Sequence, residues 1–194
     1  MNLKQRSCAL RKMELQIGLY PTAFLLNVAL LGIAAIYVTP AFRTINLGAF
    51  YEILSINPFN FQASNPVQLR ILTPLLAYLL FLRGPFFILL PLFIGMLFLT
   101  FIYIHYRKQS FTPIESLGMA SLMAFSTPIL FTLHFQGYTD TTSYLLLFLC
   151  LVFIKNPIWP LFFALAVLNH YSNIFAAPPS CCSVGKKIRI GGNE

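Results

Sequence analysis

Residues 85–104 read PFFILLPLFIGMLFLTFIYI, twenty positions without one charged side chain. Wound into an α-helix at about 1.5 Å per residue, this run is about 30 Å long, the thickness of a bilayer's hydrocarbon core. Composition decides between lipid and a soluble interior. Only 9% of the chain is charged and 58% is hydrophobic, with mean hydropathy +0.75. Soluble domains carry about 25% charged residues, so this chain has too little polar surface to cover itself in water. Apolar runs recur at about 21–38, 113–133, 141–154 and 157–177. The fold class expected is all-α membrane: a polytopic helical bundle of about five spans.

The residues just before the central run set its entry. Thr73-Pro74 has the form of an N-cap followed by proline at the first helical position, and Arg83-Gly84-Pro85 forms a stop. A helix over 74–82 covers about 14 Å, half of a bilayer core, and is expected as an interfacial half-helix. Upstream, Lys4, Arg6, Arg11 and Lys12 face one acid, Glu14, in a cytoplasmic N-terminus over 1–19. The 21–38 run, holding Asn27, is then an uncleaved signal anchor. A polar, aromatic connection over 39–68 leaves room for a surface helix near 45–56. Thr112-Pro113-Ile114-Glu115 is a capping box. The helix it opens runs to about Leu133, with a kink at Pro128. Lys155-Asn156-Pro157 makes a tight turn.

The net charge of +8 does not point to nucleic acid, because the thirteen Lys and Arg cluster at the ends of apolar runs, with no basic face bearing interleaved stacking residues. With the N-terminus cytoplasmic, five spans put seven of the cations up to residue 177 inside and three (Arg43, Arg70, Arg83) outside, as the positive-inside rule favours. Cys8, Cys150, Cys181 and Cys182 form no metal or redox spacing. Residues 178–194 lose all apolar periodicity. That tail reads either as disordered or as the aberrant end of a truncated or frame-shifted chain.

Five spans place two non-terminal acids on the outer face, Glu52 and Asp140. Asp140 suits a general base, a hydroxyl-orienting group or a metal ligand; it suits an N-cap for the next helix equally. His134 stands six residues upstream as a substrate-binding candidate. Glu52 is either a second catalytic carboxylate or a solvated residue of the surface helix. Asn169, His170 and Asn173 form a polar cluster that either lines a pocket or bonds helix to helix. Arg70 either pairs with a phosphate or snorkels to the interface. No group of residues reads as a metal site.

Arg70-Ile71-Leu72-Thr73-Pro74-Leu75-Leu76-Ala77-Tyr78-Leu79-Leu80, Gly137-Tyr138-Thr139-Asp140 and Leu168-Asn169-His170 resemble motifs of the GT-C superfamily of integral-membrane glycosyltransferases, mannosyltransferase-like members above all. The resemblance covers about residues 20–177. It implies transfer of a sugar from a polyprenyl-phosphate donor to an acceptor hydroxyl at the outer membrane face. Asp140 and Glu52 would be the catalytic carboxylates. Arg70 or a divalent cation would hold the phosphate, and Asn169 and His170 would line the pocket. One departure stands out: where the family carries an acid early in the first outward loop, this chain has Asn46. The competing reading is a non-enzymatic membrane scaffold or assembly subunit.

Overall fold

The computed structural model describes residues 21, 23–36, 44, 46–60, 67 and 69–176. The basic segment 1–19, Arg43 and the tail 178–194 lie outside them. Among the described residues every regular element is helical: α1 (Ala23–Ile36), α2 (Leu47–Ile56), α3 (Leu72–Leu79), a 3-10 turn (Gly84–Ile88) running into α4 (Leu89–Lys108), α5 (Pro113–Ala124), α6 (Thr127–His134), α7 (Asp140–Val152), α8 (Trp159–Asn169) and a closing 3-10 segment (Tyr171–Ala176). Among the described residues one helix, Gly84–Lys108, is long and apolar enough to cross a membrane; α1, α2, α7 and α8 are apolar but shorter.

Two of the other expected runs are interrupted, each for a local reason, while 141–154 forms one helix, α7. The 113–133 run is two helices. The capping box forms as read, with the Thr112 hydroxyl accepting from the Glu115 amide and Glu115 accepting from the Thr112 amide. At the far end Pro128 has no N–H to offer the preceding turn. Rather than kinking, the chain breaks at Phe125–Ser126 and restarts with Ser126 extended at the N-cap. The 157–177 run ends its α-helix at Asn169. The Asn173 side-chain amide donates to the Ala166 carbonyl (2.7 Å), which also accepts from the His170 amide, and this closes α8.

The helix expected over 74–82 starts at Leu72 and ends at Leu79. Thr73 lies inside its first turn and does not cap it; its hydroxyl is spent on distant helices. Pro74 is tolerated there because the first-turn N–H groups have no intrahelical acceptor. The stop is a Schellman closure centred on Phe81, not on Gly84. Phe81 takes φ 60°, its amide bonds the Tyr78 carbonyl, and the Leu82 amide bonds the Ala77 carbonyl. Arg83 then folds back, its Nε donating to the Tyr78 carbonyl (3.2 Å) and its guanidinium 3.8 Å above the Tyr78 ring.

Small residues let the bundle close. Ser116, Ala120 and Ala124, one turn apart on α5, are fully buried, as are Ala23, Asn27 and Ala34 on α1. Such stripes bring helix backbones near each other without a side chain between them. The alanines pack with Phe98, Leu99 and Ile102 of α4 and with Ile129 and Leu133 of α6 in one apolar cluster. A second cluster joins Tyr51 and Leu54 of α2, Ala77 of α3, Phe87, and Leu90 of α4.

Two contacts fix the direction of α7. The Thr141 hydroxyl donates to the Pro91 carbonyl near the start of α4 (3.1 Å), and the Phe148 ring meets His105 near its end (5.5 Å). Thus α4 and α7 run parallel, and α5 and α6 carry the chain back between them. The molecule has two distinct ends. The Gly84 end gathers α2, α3 and the 135–139 connection, and the Lys108 end carries His105, Arg107 and Lys108.

Candidate functional site

The site at the Gly84 end depends on a backbone crossing. Gly48, in the first turn of α2, lies against the 136–137 connection so closely that a Cβ on it would stand 2.3 Å from the Gln136 carbonyl oxygen. Gly137, at φ 93°, reciprocates: its Cβ would meet the Thr44 methyl at 2.9 Å and Gly48 Cα at 3.0 Å. Only glycine fits at either position. The crossing brings one turn of α2 over the entry to α7, and Tyr51 packs edge-on to Tyr138 at 6.5 Å.

Arg70, just before α3, enters this corner. Its Nη1 donates to the Tyr51 hydroxyl (2.9 Å), and its guanidinium lies 5.6 Å from the Tyr171 ring centre. Arg70 Nε is buried with no hydrogen-bond partner. Thr139 Oγ1 is equally buried and unpartnered; burial raises the pKa of the neighbouring Tyr51 phenol, and Thr139 and Arg70 offset this in part. Gln136 Oε1 is a third unpartnered buried atom in the same connection. Buried polar atoms normally find partners, and these three find none among the described side chains.

Asp140 opens α7 as its first helical residue. Thr139 holds the N-cap position, and no side-chain cap bond forms, so Asp140 is free of the capping role. Burial raises its carboxyl pKa above the ordinary range, while the charges of His170 and Arg70 pull it back in part. Of the residues singled out from sequence, Asp140, Arg70 and His170 are therefore brought into electrostatic reach of one another. His170 ends α8 with Nδ1 2.6 Å from the Ser172 hydroxyl and its ring stacked on Tyr171.

The remaining candidates lie elsewhere. Glu52 accepts a hydrogen bond from the Thr44 hydroxyl, and it is not among the groups whose charge acts on Asp140. His134, at the exposed end of α6, packs edge-on to Phe135 at 4.6 Å. Asn169 is fully buried and engaged. Its Nδ2 donates to the Thr139 carbonyl (2.9 Å) and to Ser143 Oγ (2.8 Å), and its Oδ1 lies 2.5 Å from the Thr73 hydroxyl. The Thr73 hydroxyl has one proton, and an amide oxygen only accepts. That proton therefore goes to Asn169, and the Thr142 hydroxyl, 2.9 Å away, donates to Thr73. Asn169 ties α3, α7 and α8 together from behind the site, the helix-to-helix role among its two readings.

Tyr51 is the site residue that sequence reasoning missed. No motif marks it, and the one signal was a hydroxyl-bearing ring on the same face of α2 as Gly48 and Ser55. Among the described residues no three His, Cys, Asp or Glu side chains converge on a point. The positive charge beside Asp140 is the guanidinium of Arg70, and one carboxylate with one imidazole is a poor donor set for a divalent cation. The arrangement can instead hold a phosphate-like anion on Arg70 while Asp140 takes a proton beside it. No family model matches the chain, and neither a curated protein nor a solved structure matches it.

Proposed function

We propose that this is a multi-pass membrane glycosyltransferase of GT-C type, moving a sugar from a polyprenyl-phosphate donor to an acceptor hydroxyl at the outer membrane face. The observation that carries the reading is the meeting of Arg70, with an unpartnered buried Nε, and Asp140, with a raised pKa, at the Gly84 end. The chain crosses the bilayer about five times with its N-terminus in the cytosol. The parallel course of α4 and α7 supports that alternation, and the basic residues at the Lys108 end support a cytosolic side there.

In the reaction Asp140 accepts the proton of the acceptor hydroxyl as its oxygen attacks the sugar's anomeric carbon. The bond from that carbon to the phosphate oxygen breaks, and the lipid phosphate leaves with the bonding pair. Arg70 stabilises that leaving charge, with its fork of donors matched to phosphate oxygens. The raised pKa makes Asp140 a stronger base than a solvated carboxylate. His170, at the end of α8, stands within electrostatic reach of the carboxylate. The Arg70 guanidinium supplies positive charge for the phosphate.

The test is sugar transfer by the full chain in nanodiscs, with a polyprenyl-phosphate-linked sugar and a panel of hydroxyl acceptors. Asp140→Asn should abolish transfer while leaving donor binding intact, and Arg70→Gln should weaken donor binding. Unchanged transfer in Asp140→Asn and Glu52→Gln would sink the proposal. A scaffold or assembly role is the second reading, and Asn46 at the place of the family's early acid is the observation that favours it.

A further inference from the structure

At the opposite end of the molecule, a groove of about 120 Å³ opens between α4 and α7. Its walls are apolar, with Phe101 from α4 and Phe148, Leu149 and Val152 from α7, and its α4 side ends on His105 and Lys108. His105 is braced on both sides, by the Gln109 amide 2.8 Å from its Nε2 and by the Phe148 ring. In the same final turn Arg107 holds a buried Nε that has no partner, although its Nη1 donates to the Phe111 carbonyl. An apolar slot parallel to a spanning helix, with the Lys108 ammonium where that helix leaves the lipid, has the charge order of an anionic phospholipid.

We infer that this groove is a binding site for one anionic phospholipid, phosphatidylglycerol being the simplest probe. An acyl chain lies along Phe101, Phe148 and Val152, and the headgroup phosphate sits against Lys108 and His105. Basic pockets between helices on the cytosolic side select such headgroups over zwitterionic ones. The site does not depend on sugar transfer; it rests on the proposed topology, with α4 and α7 in the bilayer and the Lys108 end at the cytosolic face.

Native mass spectrometry of the full chain, with phosphatidylglycerol or phosphatidylcholine added in detergent, tests it. The wild type should retain one phosphatidylglycerol in preference to phosphatidylcholine. Lys108→Gln should weaken that retention about fivefold, the factor equal to about 1 kcal/mol per basic residue near a headgroup, and Lys108→Arg should restore it. Val152→Trp, at a partly exposed position that tolerates bulk, should block retention without changing the melting temperature. Equal retention of both lipids, no retention by the wild type, undiminished retention in both Lys108→Gln and Val152→Trp, or a dimer filling the groove in place of lipid would each overturn the inference.

Discussion

Replacing Asn169 by alanine gives the sharpest test of how the helices are joined behind the site. The side chain is fully buried and holds three partners: the Thr139 carbonyl, Ser143 Oγ and the Thr73 hydroxyl. At the mean of ~0.6 kcal/mol found for hydrogen bonds between membrane helices, losing three costs about 2 kcal/mol. At the ~1 kcal/mol common in soluble proteins, the loss is about 3 kcal/mol. The chain carries one tryptophan, Trp159, at the start of the same helix, so its fluorescence reports unfolding of α8 directly. Reversible unfolding in mixed micelles, followed by that signal, should show a loss of about 2–3 kcal/mol. A double-mutant cycle with Ser143→Ala should return a coupling of about 0.6 kcal/mol. A total loss below about 0.5 kcal/mol would refute the reasoning, because it would mean that the amide bonds no partner that water or lipid could not replace.

Gly48→Ala drives a Cβ to 2.3 Å from a backbone oxygen, so α2 and the 136–137 connection must part. A destabilisation of about 1–3 kcal/mol, with loss of anionic-donor binding, should show in the same unfolding and binding assays, and Gly137→Ala should behave alike. Phe81→Gly relieves a left-handed position at an exposed side chain and should stabilise the protein by about 1 kcal/mol, read as a raised unfolding midpoint. For Asp140 the folded pKa is raised, so its favourable contribution is complete below the ordinary carboxylate pKa of about 3.9 and is lost as pH rises through the folded value. Asp140→Asn should therefore melt above the wild type at pH 7–8 and converge with it in acid; a variant that melts lower at neutral pH would reverse the sign assigned here.

What could be read from the sequence was whatever local chemistry decides. Thr112, Pro113 and Glu115 satisfy one another within four residues, and the capping box forms. Thr73 has the same local signature before Pro74, yet its hydroxyl goes to Thr142 and Asn169, partners 69 and 96 residues away. No pattern of neighbours announces such a choice. Asp140 failed as a cap for a related reason: Thr139 occupies the N-cap position because its carbonyl is held by Asn169. Pro128 was read as a kink, but Ser126 offered the backbone an extended restart, and a break resulted. The convergence of Arg70, Asp140 and His170 was legible only as three separate suspicions. Tyr51, which Arg70 grips, was legible only as a hydroxyl-bearing ring on the Gly48 face of α2.

The Gly48–Gly137 crossing also has a consequence in time. Its two halves are 89 positions apart in the chain, and a ribosome adds about 5–20 residues per second. Roughly 5–18 s therefore pass between synthesis of the first half of the corner and arrival of the second. Throughout that interval α2 exists without the segment that covers Tyr51 and completes the surroundings of Arg70. The first half of the corner waits unpaired through that interval, and the site closes only when the entry to α7 packs against Gly48.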